Sequence, residues 1–170
     1  SDTWNPVSIM QQGASGNDLF GLLCSTNGVN CEVYLSNGSL AYYQFNSAVF
    51  AQDTWTMITI VYDGSGSGNS DKLKVYIDGT QHTSGAYSGT IPSSIGSNSD
   101  PLHIGARGTN GYGGGDFTID GQLDEWAWWS NILSQSDITS LYNSGNGVLS
   151  NTVSPSTLTT YYDFEQTGSL

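Results

Sequence analysis

A chain of 170 residues is long enough to bury one well-filled core and too short for two, so a single domain is expected. Fifteen acidic residues against three basic ones give a formal net charge of -12, which repels nucleic acid and anionic lipid and argues against polyanion binding. No apolar run approaches the roughly 20 residues of a membrane-spanning helix, and no basic and apolar leader opens the chain.

Cys24 and Cys31 stand seven apart around the turn-forming STNGVN. A disulfide there would staple two neighbouring strands in an oxidising compartment; two buried free thiols are the alternative. Glu32 to Ser36 and Leu40 to Phe45 alternate apolar and polar residues around Asn37-Gly38, a strong hairpin signal. The sequon Asn37-Gly38-Ser39 falls on that turn and adds weak support for a location outside the cell. WTMITIVY (Trp55 to Tyr62) and LKVYI (Leu73 to Ile77) have the β-branched and aromatic content of strands, and GSGSGNSD between them reads as a loop. Asp78-Gly79 marks another tight turn. LHIGA (Leu102 to Ala106) and QLDEWAWW (Gln122 to Trp129) are further strands, joined by the glycine-rich GTNGYGGGD.

One segment has helical character. Ser134 caps it, Asp137 completes a capping box, Ile138, Leu141 and Tyr142 share a face, and Gly145 ends it. A polar linker around Pro155 leads to a last strand over Leu158 to Phe164. This spacing predicts an all-β fold, an antiparallel β-sandwich with one short helix.

The pieces WTMITIVYD, KVYIDG, PLHIGAR, DGQLDEWAWW and ILSQSDITSLYNSG, in that order, resemble the laminin-G-like, concanavalin A-like jelly roll of lectins, glucanases and adhesion modules. The resemblance covers roughly residues 50 to 145 and implies architecture more than ligand. Two departures stand out. WNPVSIMQQG resembles a segment that opening strands normally precede, and those are absent here. TTYYDFEQTGSL resembles the strand with which such domains usually begin. Residues 156–170 are therefore expected either to close the domain in permuted fashion or to start a next repeat. If a neighbouring copy supplied the missing strands, strand exchange would build a filament or tandem array.

Retaining glycosidases of this superfamily carry Glu-x-Asp-x-x-Glu on one strand, and the chain has no such triplet. Its only glutamates are Glu32, Glu125 and Glu165. Asp163 and Glu165 have the spacing of two acids on one strand face, but solvated acids are the commoner meaning of that pattern, so no enzyme is expected. His82 and His103 lack companions for a transition-metal site, and the glycine runs open no helix to cradle phosphate.

Calcium suits the acidic loops better, since it takes six to eight oxygens, carboxylate or carbonyl. The resemblance implies Asp124 as a structural calcium ligand with Asp163 as its neighbour; the competing role for Asp124 is to accept backbone hydrogen bonds. Asp63, Asp71, Asp116 and Asp120 form no motif. In QLDEWAWW, Trp126 and Trp128 share a parity opposite to Trp129, so one face is expected in the core and the other partly exposed. Packing is the plainer role for these rings, and stacking on pyranose C–H faces is the functional one. Arg107, Tyr112 and Asp116, in or beside the glycine-rich loop, are the expected ligand-binding groups. The sequence thus points to a non-catalytic, extracellular or cell-surface module. It binds glycans or cell-surface components, with structural calcium, and the alternative is a subunit that assembles with neighbouring copies of itself.

Overall fold

The computed structural model describes residues 6–13, 19–25, 30–106 and 118–165. Eleven strands form in this part of the chain: β1 (Pro6–Gln12), β2 (Phe20–Ser25), β3 (Asn30–Ser36), β4 (Leu40–Asn46), β5 (Ile58–Tyr62), β6 (Leu73–Ile77), β7 (Thr80–Gln81), β8 (Ala86–Ser88), β9 (Leu102–Ile104), β10 (Trp126–Trp129) and β11 (Leu158–Tyr162). Every pairing is antiparallel. They make a six-stranded sheet in the order β8-β4-β3-β2-β1-β9, a three-stranded sheet β5-β6-β7 and a two-stranded ribbon β10-β11.

Alternation decides which face of the large sheet is covered. In β4, Ala41, Tyr43 and Phe45 are buried while the residues between them are not. Their cross-strand partners Leu35, Val33 and Cys31 are buried on the same face. This layer meets Leu73 and Val75 of β6, with Ile58, Ile60 and Tyr62 of β5 packed against it, and forms the principal core. On the opposite face, Tyr34 lies over its cross-strand partner Gly21. A Cβ at Gly21 would come within 2.6 Å of the phenol oxygen, so no other residue fits there without moving the ring.

Cys24 and Cys31 are cross-strand partners in β2 and β3, 4.0 Å apart at Cα, and a disulfide joins them. Both are buried, and the bridge, not the pair of free thiols, is what forms. Because the closed loop is short, reduction is expected to cost about 2–3 kcal/mol through the unfolded chain. Urea unfolding with and without reductant measures this, and equal midpoints would show that the bond constrains nothing.

Two expectations are corrected in the loops. GSGSGNSD is not wholly loop: Asn69–Lys72 forms a single helical turn, α1. Asp71 accepts hydrogen bonds from Ser67 Oγ and Gly68 N–H, Asn69 is bonded to Gly89 and Ile91, and Lys72 Nζ donates to Ile91 O and Ser93 Oγ. Local capping and anchoring outweigh the glycine content. The strand expected from Gln122 begins only at Trp126, because Glu125 adopts a left-handed backbone, φ 54°, which lies outside the regular β region.

The predicted helix is α2 (Gln135–Tyr142). Its capping box is complete: Asp137 N–H donates to Ser134 Oγ, and Ser134 N–H donates to the Asp137 carboxylate. The Ser134 hydroxyl, which also donates to the Asp137 carboxylate, and then Ser134 N–H hold that carboxyl below its usual range. The helix ends at Asn143, in the left-handed region, two residues before Gly145. Ile138 and Leu141 are buried with Val61 of β5, Tyr76 of β6 and Leu133, and Trp129 of β10 packs against the same cluster. α2 thus roofs both smaller sheets on the side away from the large one.

Candidate functional site

The β10–β11 ribbon carries the densest aromatic set in the described chain. Trp126 is opposite Tyr162 in the ladder, Ala127 opposite Tyr161, and Trp128 opposite Thr160. Alternation therefore puts Trp126, Trp128 and Tyr162 on one face and Trp129 on the other. Their rings form a row: Trp128 to Trp126 at 6.3 Å, Trp126 to Tyr162 at 5.9 Å, and Tyr162 to Phe164 at 6.0 Å. Trp128 also meets Phe20 of β2 at 5.2 Å, which shows that the row faces the large sheet. Trp129 points the other way, into the α2 cluster, where its Nε1–H donates to Val153 O at 3.0 Å.

The inward row is nevertheless poorly covered. Trp128 is 38% exposed, Tyr162 51% and Phe164 47%. Large rings facing a core normally bury most of their area, and the described residues cover this row only in part.

Glu125 locks the ribbon to the following turns. Its carboxylate accepts from Ser150 N–H at 2.6 Å and from the Tyr161 hydroxyl at 2.6 Å, while its carbonyl accepts from Ser150 Oγ at 3.2 Å. Tyr161 is held well above the ordinary phenol range, first by burial and then by the hydrogen bond its hydroxyl donates to the Glu125 carboxylate, with Asp163 and Asp124 adding smaller repulsion. Glu125 is thus a brace in this fold. Its role is visible only once residues 125, 150 and 161 are brought together.

The end of the ribbon where β10 begins opens into a cleft of about 310 Å³, lined by Trp55, Gln122, Leu123, Asp124, Phe164 and Glu165. Trp55 stands 65% exposed on one wall. Two aromatic rings therefore border a mouth whose polar groups are one amide and two carboxylates.

The predicted site residues fare unequally. Asp124 is at the cleft, exposed, with Oδ1 accepting from Glu125 N–H at 2.8 Å. Asp163 lies at the same end of the ribbon, and its Oδ1 accepts from Glu165 N–H at 3.3 Å. The shared strand face expected for Asp163 and Glu165 does not form, because β11 stops at Tyr162 and Phe164 turns to φ 51°. Arg107, Tyr112 and Asp116 lie outside the described residues. Among the described residues no group of three or more His, Cys, Asp or Glu side chains converges as a metal site. Asp63 and Asp71 serve their own turns through Ser65, Ser67 and Gly68. His82 packs against Tyr43 and Phe45, with Nδ1 3.0 Å from the Tyr43 hydroxyl, and His103 sits on the edge strand β9. Sequence reasoning missed Trp55, Phe164 and Glu165 as companions of Asp124. Nothing in their spacing announces that they meet.

Among the described residues no helix is long and apolar enough to cross a membrane. No curated protein and no solved structure matches the chain. A family match does cover residues 1–139, to the family described as the concanavalin A-like lectin/glucanases superfamily. That superfamily holds lectin-like and adhesion modules, mostly non-catalytic, together with some glucanases, and its laminin-G-like domains are typically extracellular. The antiparallel sandwich, the roofing helix and a match over most of the chain agree: the protein belongs to the laminin-G-like, concanavalin A-like lectin/glucanase superfamily.

Proposed function

We propose that this protein is a non-catalytic glycan-binding or adhesion module that works outside the cell. One observation carries the reading: Trp55 and Phe164, both exposed, border one polar cleft with Gln122, Asp124 and Glu165. Aromatic faces match the C–H faces of a pyranose ring, and carboxylates and amides at the rim accept and donate to its hydroxyls. An exterior location agrees with the buried disulfide and with the exposed sequon at the β3–β4 turn.

A structural calcium ion would take Asp124 and Asp163 as its anionic ligands. Asp124 just precedes β10 and Asp163 follows β11, and since Trp126 pairs with Tyr162 both bring hard oxygen donors to the same end of the ribbon. Two carboxylates are a partial set, and backbone carbonyls and water would complete it. Bound there, the ion would offset the crowding of negative charge at the mouth.

A glycan array read in calcium and again in chelator tests the proposal. Binding of at least one glycan class is expected, with Trp55→Ala lowering affinity roughly tenfold or more, the scale of one lost stacking contact. An array with no hits, or hits that Trp55→Ala leaves unchanged, would remove the cleft from the argument.

A further inference from the structure

β5 and β6 form a hairpin whose open end carries two recesses. Met57 and Asp78 face each other there, just beyond the last pair of the ladder: Asp78 N–H donates to Met57 O and Met57 N–H donates to Asp78 Oδ1, both at 2.9 Å. Trp55, two residues before Met57, borders the cleft described above, while Asp78 and Gly79 line a second recess of about 350 Å³ between the β6–β7 turn and α2. Extended chain covers at most about 3.5 Å per residue and bonded ladder partners stand about 5.5 Å apart, so the Cα atoms of Trp55 and Asp78 lie within about 13 Å of each other. The two recesses are neighbours.

Gly79 shapes the second one. Its φ of 76° turns the chain under α2, and a Cβ there would come within 3.0 Å of Tyr142 Cβ, so glycine is what lets the helix settle on the turn. Gln135, two turns before Tyr142 on the same stripe of α2, is held in place: its Nε2 donates to Gly79 O at 2.8 Å and to Thr139 Oγ1 at 3.1 Å. A group fixed in this way loses little freedom when a ligand arrives. Its Oε1, Asp78 Oδ2 and the side chains of Gln81 and Ser144 line the recess with no hydrogen-bond partner among the described residues.

The chemistry of the two recesses matches. Each has an aromatic ring at its wall, a carboxamide and a carboxylate, and neither is lined by lysine or arginine. Lys72 is at the far end of the hairpin, where its Nζ donates to Ile91 O and Ser93 Oγ, and Lys74 follows it into β6. Carboxylates accept hydroxyl protons but repel sulfate and uronate groups, and the net charge of -12 adds to that repulsion. One hexose, about as wide as an aromatic ring, is too small to touch both recesses.

We infer that the Trp55 cleft and the Tyr142 recess are two subsites of one face that binds an extended, uncharged oligosaccharide. The chain crosses the ridge at Met57 and Asp78, with one sugar against Trp55 and another against Tyr142, where Gln81, Gln135 and Asp78 meet its hydroxyls. This inference rests on the glycan reading of the cleft and adds the length and charge of the ligand.

Calorimetry on the whole chain in calcium tests it with cellohexaose, maltohexaose, mannohexaose and chitohexaose, each beside its disaccharide. At least one hexaose is expected to bind roughly tenfold or more tightly than its disaccharide, the gain from engaging a second subsite. Tyr142→Ala and Gln81→Ala should each weaken that hexaose about threefold or more and leave the disaccharide unchanged, whereas Trp55→Ala should weaken both. Gln81 is exposed and its side chain bonds to nothing in the fold, so its loss reads binding and not stability. Amide resonances of Thr80, Gln81 and Thr139 should shift with the hexaose and stay still with the disaccharide, a readout that needs no variant. A disaccharide that binds as tightly as its hexaose, or a hexaose that ignores both recess variants and leaves these amides unmoved, would overturn the extended site while the cleft keeps its glycan. A heparin hexasaccharide bound more tightly than every neutral one would overturn the uncharged ligand. Binding by none of the four series would overturn the inference, and the glycan array then decides whether the cleft reading falls with it.

Discussion

Ile138→Ala is expected to lower the stability of the domain by about 3–4 kcal/mol, the largest loss from any single truncation outside the principal core. Ile138 is fully buried in a cluster with only four other buried members: Val61, Tyr76, Leu133 and Leu141. Removing three of its carbons leaves a void among these residues and the Met57, Trp129, Val148 and Val153 side chains packed around them. The helix is eight residues long, below the length at which isolated helices persist in water, so its stability comes from this cluster, from the Ser134–Asp137 cap and from tertiary bonds such as Gln135 Nε2 to Gly79 O. Urea denaturation gives the free energy. The companion variant Ile132→Ala, at a site 51% exposed, should change it by less than about 0.5 kcal/mol. Because the cluster is shared by β5, β6 and β10, Ile138→Ala should also speed amide exchange in the ribbon. Equal costs for the two variants would mean that α2 decorates the layer without holding its halves together.

The parts of this fold that could be read from sequence are those in which local and tertiary signals coincide. Asn37-Gly38 closes the β3–β4 hairpin because only a tight turn suits that pair, and LKVYI is a strand over its whole predicted length. α2 was legible because its cap and its buried face agree. FGLLCS, by contrast, became β2 with no alternation to mark it, since its pattern carries a glycine under Tyr34 and apolar residues on both sides. The short strands β7 and β8 exist only through their neighbours. Trp55 was read as the start of a strand, yet it precedes β5 and stands exposed at the cleft. The cleft joins residues 55, 122–124 and 164–165, more than a hundred positions apart at the extremes. Asp124 could be nominated through the family resemblance, but its partners needed the topology.

Glu125→Ala is expected to cost about 3 kcal/mol, although the residue is only half-buried and belongs to no motif. The substitution removes the acceptor of two hydrogen bonds at once and leaves Ser150 N–H, in a buried residue, without it. Each stranded polar group costs roughly 1–3 kcal/mol. Glu125→Gln keeps a carbonyl oxygen in place, so its cost should be about 1 kcal/mol. A double-mutant cycle separates brace from packing: Tyr161→Phe should be harmful in the parent chain and nearly neutral beside Glu125→Ala. The titration of Tyr161 gives an independent readout. Its pKa is raised in the folded state, so the stability it contributes is present below the unfolded phenol value and is lost as pH rises through the folded one. Ultraviolet absorbance should show Tyr161 ionising at lower pH in Glu125→Ala. It should remain above an ordinary phenol, because burial is the larger cause and the substitution leaves burial in place. An unchanged titration, or additive costs in the cycle, would show that the carboxylate and the phenol act separately. Coupling would instead make Glu125 the residue that ties β10, β11 and the turn at Ser150 into one unit and so holds Asp124 at the cleft.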